Sequence, residues 1–344
     1  MTERADSVSA TMMDVARLAG VSLKSVSNYF NDYPHMTDEL RDRICAAAAE
    51  LDFRVNQSAR SLRSGRTSNI ALVVPELSQI YFANLAENVI AAARQQGFNV
   101  SILTTGNEAA RELDVLTGKI GPAVDGIIFE TVALAQREIP FDQVRCPLVL
   151  IGERVEDAEV DRVSMDNVNG AMSAVNHLLE RGRRRIVALG YGPESRRPSA
   201  ASRRFEGYER ALREAGIEPD PELVATPASW RWPDGGEAMA ALMESGVEFD
   251  AVFAFCDALA FGAMAAVQRA GKTVPTDVAV VGFDNVEESA ATFPSLTTVD
   301  PGRSMIASSA VGLLLDRIRG ERPRGGEPQH VVASHHIVVR GSSS

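Results

Sequence analysis

The strongest constraint on this chain is an alternation that begins at Asn69. Short β-rich runs, IALVV at 70–74, FNVSIL at 98–103, GIIF at 126–129 and PLVLI at 147–151, alternate with helical stretches near 82–96 and 108–119. The pattern resumes with IVALG at 186–190, DAVFAF at 250–255 and VAVVGF at 278–283, separated by helical stretches near 168–181, 203–215, 235–245 and 257–270. Strand-helix alternation implies right-handed crossovers and parallel sheets covered on both faces. The length of this region is enough for two such sheets. In open parallel sheets, ligands bind beyond the carboxyl ends of the strands.

The first sixty residues follow a different period. Thr11 and Asp14 have capping-box spacing, so a helix is expected from Met12, with Met12, Val15 and Ala19 on one stripe and Leu18 beside them. Gly20-Val21 breaks that helix, and Ser22 is a natural N-cap for a second one over Leu23 to Asn31. Val26, Tyr29 and Phe30 form its buried face, while Lys24 and Asn28 share the opposite side with Leu23 next to them. Thr37 would cap a third helix carrying Asp38 and Glu39 in its first turn. Leu40, Ile44, Ala47 and Leu51 then close a small core with Val15, Leu18 and Phe30, and Cys45 is a packed neighbour. This suits a DNA-binding helix-turn-helix; on the two helices alone an ordinary helical hairpin fits as well.

Charge distribution bears on that choice. The chain has a net charge of −11, but residues 1–66 hold nine Lys/Arg against nine Asp/Glu, so the whole excess of acid lies in the remainder. Arg54 to Arg66 carries four arginines and no acid. Such a segment can steer onto phosphates while an acidic body repels the duplex. Within it, Asn56 could cap and Gly65 could end a helix of two turns, too short to be stable without a partner. A plain linker is the alternative. A leucine exposed among arginines is explained if Leu62 wedges between base steps in the minor groove while Arg60 and Arg63 take phosphates.

Three motifs in order, DVARLAGVS-x3-VS, AAAELDF and N-x2-AR-x-L-x3-RT, resemble the head and hinge of the lactose-repressor (LacI/GalR) family of bacterial transcription factors. The resemblance implies a small all-α helix-turn-helix head on an α/β body of two parallel-sheet lobes, like periplasmic binding proteins. The expected division is a head at 1–55, a hinge helix and linker at 56–68, and an effector-binding and dimerisation domain at 69–344. Lobe one would take about 69–162 and 296–325, and lobe two about 163–295 and 326–344. The implied DNA contacts are Ser22, Leu23, Lys24, Ser25, Asn28 and Asn31 in the head and Asn56, Ala59, Arg60, Leu62 and Arg63 in the hinge. Lys24 could donate to guanine and Asn28 could read a base edge. Tyr29, Phe30, Met36 and Val55 depart from the family pattern, and Val55 stands where a proline usually stiffens the entry to the hinge.

The expected effector site draws on Tyr81 and Phe82 in the loop after the first strand, Arg204 in R-x2-GY, Trp230, Asp257 and Asp284. An aromatic platform, a guanidinium and carboxylates suit a polyhydroxylated sugar, whose hydroxyls both donate and accept. Each residue has a structural reading too. Tyr81 or Phe82 could simply pack the cleft wall, and for Asp257 capping the following helix is the stronger reading. Trp232 could replace Trp230 as the stacking residue. Cys256 stands where the family commonly has Asn. A purine co-repressor is the other effector class; the resemblance implies extra polar groups a few residues before Arg204 in purine readers, and this chain has Pro198, Ser199 and Ala200 there, which favours a sugar.

Other functions find less support. GYGPES at 190–195 is a truncated Gly-rich loop, and the five histidines and three cysteines show no catalytic or metal-ligating spacing. Neither catalytic residues, a cofactor nor a metal is expected. The longest apolar runs are too short to span a membrane, and MTERADSVSA lacks the apolar core of a signal peptide. That points to the cytoplasm and away from a solute-binding protein. The reading is a ligand-responsive repressor that binds palindromic operator DNA as a homodimer, with no membrane partner.

Overall fold

The computed structural model describes residues 10–30, 33–53, 66–155, 159–192, 198–323 and 325–344. The chain divides into two compact units, Met1–Thr67 and Ser68–Ser344. Among its described residues the first holds three helices, α1 (Met12–Ala19), α2 (Leu23–Tyr29) and α3 (Asp38–Glu50). The capping box forms: the Thr11 hydroxyl accepts from the Asp14 amide (3.3 Å), and Asp14 accepts from the Thr11 amide (3.0 Å). Gly20 ends α1 in the left-handed region (φ 64°), which a glycine adopts without strain. Ser22 accepts from the Ser25 amide (3.0 Å) and starts α2. Val15, Ala16, Ala19, Val26, Ile44 and Ala47 form the core.

Three expectations for this unit need correction. Leu18 is 45% exposed rather than packed, because the buried stripe of α1 runs through Val15, Ala16 and Ala19 and leaves Leu18 well off its centre. Cys45 is exposed, since Ile44 and Ala47 already occupy the core face of α3. The second helix ends at Tyr29 with Phe30 as its C-cap, short of Asn31.

The body contains two six-stranded sheets. Sheet one uses β1 (Asn69–Val74), β2 (Asn99–Thr104), β3 (Gly126–Glu130), β4 (Leu148–Ile151), β5 (Asp161–Met165) and β11 (His330–Ala333) in the order β11-β5-β4-β3-β1-β2, with every pair parallel. Sheet two uses β6 (Ile186–Leu189), β7 (Val224–Ala225), β8 (Ala251–Ala254), β9 (Ala279–Phe283), β10 (Thr297–Asp300) and β12 (His336–Val338) in the order β12-β10-β9-β8-β6-β7. Only its edge strand β12 is antiparallel. Both faces of sheet one are covered. Ile70, Leu72 and Val74 point into one apolar cluster, and Ala71 and Val73 into another.

The covering helices are α4 (Ile80–Gln95), α5 (Ala109–Leu116), α6 (Asn167–Glu180), α7 (Ala200–Glu214), α8 (Trp232–Glu244), α9 (Asp257–Arg269), α10 (Glu288–Ala291) and α11 (Arg303–Arg319). The chain passes between the lobes after Met165, after Asp300 and after Ala333. These crossings lie a few residues later than Arg162, Leu296 and 326. The reason is pairing: β5 stays bonded to β11 through Met165, opposite Ala333, and β10 belongs to sheet two through β9 and β12. His335 ties two of the crossing segments together, reaching Asp166 Oδ2 (3.3 Å) and the Ser173 hydroxyl (3.1 Å). Among the described residues no helix is long and apolar enough to cross a membrane.

Candidate functional site

In the first unit, Ser22, Leu23 and Lys24 are exposed at the start of α2, and Ser25 and Asn28 are half-buried behind them. Leu23 is 43% exposed, which leaves an apolar side chain on a polar face. Arg43 of α3 donates from Nε and Nη2 to the Ala19 carbonyl (3.2 and 2.5 Å) and from Nη2 to that of Gly20 (3.0 Å). It satisfies carbonyls left free at the end of α1 and braces the turn that aims α2. Sequence reading missed it, because an arginine 24 positions along the chain carries no local signal. Asn31, Asn56, Ala59, Arg60, Leu62 and Arg63 lie outside the described residues.

In the body, a cavity of about 440 Å³ opens at the carboxyl ends of both sheets. Its walls include Pro75 after β1, Glu130 at the end of β3, Gly152 to Arg154 after β4, Met165 at the end of β5, Cys256 after β8 and Asp284 after β9. Tyr81, Phe82, Arg204, Trp230 and Asp284 therefore converge here, as their sequence positions suggest. Tyr81 and Phe82 sit in the first turn of α4 rather than in a loop, their rings edge to face at 5.2 Å.

Arg204 is the best-buried charge of the site, 2% exposed. Its seat explains the R-x2-GY pattern. A side chain on Gly207 would place a Cβ 2.3 Å from the Val168 carbonyl, so α7 lies hard against α6 only because position 207 is glycine. Tyr208 then donates to the Ile186 carbonyl (2.8 Å) and fixes the rotation of α7 on β6. Arg204 consequently donates from Nε to Asn167 Oδ1 (2.8 Å), from Nη1 to the Phe255 carbonyl and from Nη2 to Met165 Sδ (3.4 Å). Its guanidinium lies 3.7 Å over the Phe283 ring and 5.5 Å from that of Trp230, and 3.7 Å from Asp284 Oδ1. Because Asn167 Oδ1 faces Arg204, its Nδ2 is free to donate elsewhere, and among the described residues that buried atom has no partner.

Asp284 has φ 118° and Asn285 φ 49°, both costly for residues with a side chain. The surroundings hold them there. Arg303 donates to the carbonyls of Asp284 (2.9 Å) and Asn285 (3.4 Å), and the Asn285 side chain bonds Asp300 (2.9 Å) and Arg340 (2.8 Å). Burial holds the Asp284 carboxyl above the ordinary range of its kind, against the pull of Arg204.

Asp257 and Trp232 do not belong to the site. The Asp257 carboxylate accepts from the Val286 amide (3.0 Å) and from the hydroxyls of Ser289 (2.6 Å) and Thr298 (2.5 Å), and it is absent from the cavity wall. It stitches the loop after β9 to β10 rather than holding a ligand. Nor does it cap its own helix, whose N-cap is Cys256. Trp232 is 56% exposed, whereas Trp230 lines the cavity and donates from Nε1 to the Gly190 carbonyl (3.2 Å).

The structure adds two acids that sequence reading did not single out. Glu130 ends β3 directly opposite Ile151, the last residue of β4, and Glu153 follows two residues later. Glu130 Oε1 lies 2.7 Å from where a Cβ on Gly152 would stand, and Gly152 itself has φ 92°. A side chain at 152 would thus displace the carboxyl. Burial, with Glu153 close by, pushes Glu130 up to about 8, and burial also raises Glu153. The buried Oε2 of Glu130 and the hydroxyl of Tyr81 have no hydrogen-bond partner among the described residues. The signal available in sequence was a glutamate ending the run GIIFE, where a buried strand turns polar.

Comparison with known proteins agrees with this architecture. Residues 11–56 match the family described as bacterial regulatory proteins, lacI family, and residues 175–343 match the periplasmic binding protein-like domain. The HTH-type transcriptional repressor CytR of Escherichia coli K12 is 29% identical across 100% of this chain and 99% of its own length. A solved LacI-family regulator from Sanguibacter keddieii is 40% identical, with TM-score 0.73 over 80% of this chain and 98% of that one. The solved complex of the transcriptional regulator CelR with cellobiose is 31% identical, with TM-score 0.70 over 97% of this chain and 99% of that one. The arrangement of helix-turn-helix head and two-lobed body, and these identities over most of the chain, place it in the lacI family of bacterial DNA-binding transcription regulators.

Proposed function

We propose that this regulator is a repressor whose operator affinity is set by a carbohydrate bound between the two lobes. The observation that carries the reading is the cavity itself. It combines the Trp230 ring, the buried Arg204 and Asp284, and unpartnered polar atoms on Tyr81 and Asn167. A polyol offers donors and acceptors together, so it can satisfy both kinds of group at once. The likeness to the CelR–cellobiose complex supports the same class of ligand. Ser199, where a purine reader would need a free polar group, uses its hydroxyl to cap α7 (3.2 Å to the Ser202 amide).

The head reads DNA through Leu23, Lys24 and Asn28, with Ser22, Ser25 and Asn31 beside them. Residues 56–68 act as a hinge in which Leu62 enters the minor groove, flanked by Asn56, Ala59, Arg60 and Arg63. A hinge helix of two turns needs a mate, so the active form is a homodimer on a palindromic site. The protein works by binding and needs no cofactor. Ligand acts allosterically to the extent that it binds one arrangement of the lobes better than the other.

The test is fluorescence anisotropy of labelled DNA from upstream of the protein's own gene, at fixed salt, across sugars and purines. Release by one sugar, lost in Arg204→Ala while ligand-free DNA binding persists, supports the reading. Binding that requires a purine replaces the effector class.

A further inference from the structure

We propose that the lobe-one wall of the cavity is a seat for an ammonium group, so that the effector is an amino sugar with a free amine. This rests on the carbohydrate reading and narrows it. Glu130 and Glu153 emerge from the carboxyl ends of adjacent parallel strands, and the Glu130 carboxyl lies against Gly152, the residue before Glu153. Among the described residues neither acid has an ion-pair partner. Glu153 accepts only from the Met165 amide (3.1 Å), and Glu130 Oε2 is shut off from solvent with no partner. The Tyr81 hydroxyl, on a side chain 9% exposed, is likewise unpartnered and lines the same cavity.

The charges facing this space are Glu130, Glu153 and Asp284 against Arg154 and Arg204. Both guanidiniums are already engaged. Arg204 is committed to Asn167, Phe255, Met165 and Asp284, and Arg154 reaches the carbonyls of Leu134 (3.3 Å), Ala133 (3.5 Å) and Pro198 (3.4 Å). Glu130 and Glu153 therefore share a wall with no ion-pair partner among the described residues, and the pull of Arg204 on both, and of Arg162 and Arg203 on Glu153, does not offset their desolvation; such an arrangement is resolved either by protons or by a bound cation. Sugar hydroxyls can donate to these oxygens but leave the charge uncompensated. An ammonium carries three donors and no acceptor, which matches two carboxylates and a phenolic oxygen. Hydrogen bonds to charged groups are about twice as strong as neutral ones.

Calorimetric titration of the full-length protein tests this with glucose, galactose, mannose and cellobiose, each beside its 2-amino and 2-acetamido counterparts. At least one amino sugar should bind about tenfold or more tighter than both counterparts, as expected for exchanging a neutral for a charge-assisted hydrogen bond. Glu130→Gln and Glu153→Gln, each checked for an unchanged far-ultraviolet circular dichroism spectrum, should each reduce that preference. Binding of a neutral or acetamido sugar as tightly as its amine, with no change in the variants, overturns the ammonium seat and leaves the carbohydrate reading standing. Binding of a purine or nucleoside, with no member of the sugar panel bound, overturns both.

Discussion

Replacing Glu130 by glutamine should stabilise the protein at neutral pH and do nothing in mild acid. Burial beside Glu153 raises this carboxyl from 4.5 to about 8 in the folded chain. The folded state therefore keeps its proton across a range where the unfolded chain has released it. Stability depends on the difference in bound protons, so it falls as pH rises from about 4.5 to about 8. This is opposite in sign to a salt-bridged acid, whose stabilisation is lost on acidification. At about 1.4 kcal/mol per pH unit, the interval up to pH 7 corresponds to about 3 kcal/mol. Glutamine has nearly the shape of the protonated acid and cannot ionise, so the variant escapes this loss. For a protein of this size about 3 kcal/mol corresponds to roughly 4–5 °C in Tm. Thermal unfolding of both proteins by circular dichroism at pH 4.5, 6, 7 and 8 gives the difference directly. It should be near zero at pH 4.5 and grow with pH. A difference that does not change with pH, or a variant that melts lower at pH 8, would refute the argument that Glu130 is a desolvated acid without an ion-pair partner.

Two further perturbations follow from the same kind of reasoning. Lys24→Ala and Asn28→Ala remove side chains from the open face of α2, so each should weaken operator binding by about 1–3 kcal/mol, read by anisotropy. Asn28→Ala should also relax base preference at one operator position, and both variants should keep the wild-type Tm. His177 is buried against the Ser343 hydroxyl (2.7 Å), and burial, aided by Arg181, lowers it from 6.5 to about 4. The unfolded chain then binds the proton first, so stability is full above pH 6.5 and is lost as pH falls toward about 4, by about 3 kcal/mol in all. His177→Gln should flatten that acid limb, measured as urea midpoints between pH 4 and 7.

What could be read from the sequence was whatever is written locally. Capping pairs, the glycine after α1 and the uninterrupted apolar runs of β1, β3 and β8 each carry their own signal. The long helix α11 carries helical spacing at Ile306, Ala310 and Leu314 but lies beyond the strand-helix alternation that ends with β9. The crossings were misplaced because strand membership is decided by pairing between distant segments, as when His330 bonds Ser164 (2.7 Å) and fixes β11 beside β5. The same limit applies to the site. Arg204, Trp230 and Asp284 were found by position along strand ends, whereas Asp257, of the same type and equally well placed, turned inward to three donors. Nothing in a single chain distinguishes an acid with internal partners from one facing a cavity. Glu130 was missed for the converse reason: its character comes from what does not surround it.

Arg204 has two separable roles, and a double-mutant cycle divides them. Arg204→Met removes the guanidinium but keeps an apolar chain over Phe283; it leaves the buried Asp284 without its ion pair. Breaking one partner of a buried pair costs about 3–5 kcal/mol, much of it from the charge left behind. Asp284 already lies above the ordinary carboxylate range, so part of that cost is relieved by taking up a proton. Adding Asp284→Asn removes the orphaned charge and should recover about half of the lost stability, a coupling measurable from urea midpoints. It should recover no ligand binding, because the asparagine restores neither the positive charge nor the guanidinium plane that Arg204 contributes to the cavity wall. A double variant no more stable than Arg204→Met would show that the 3.7 Å pair is not a coupled one. A double variant that regains the ligand response would show that Arg204 only neutralises Asp284 and does not itself hold the effector.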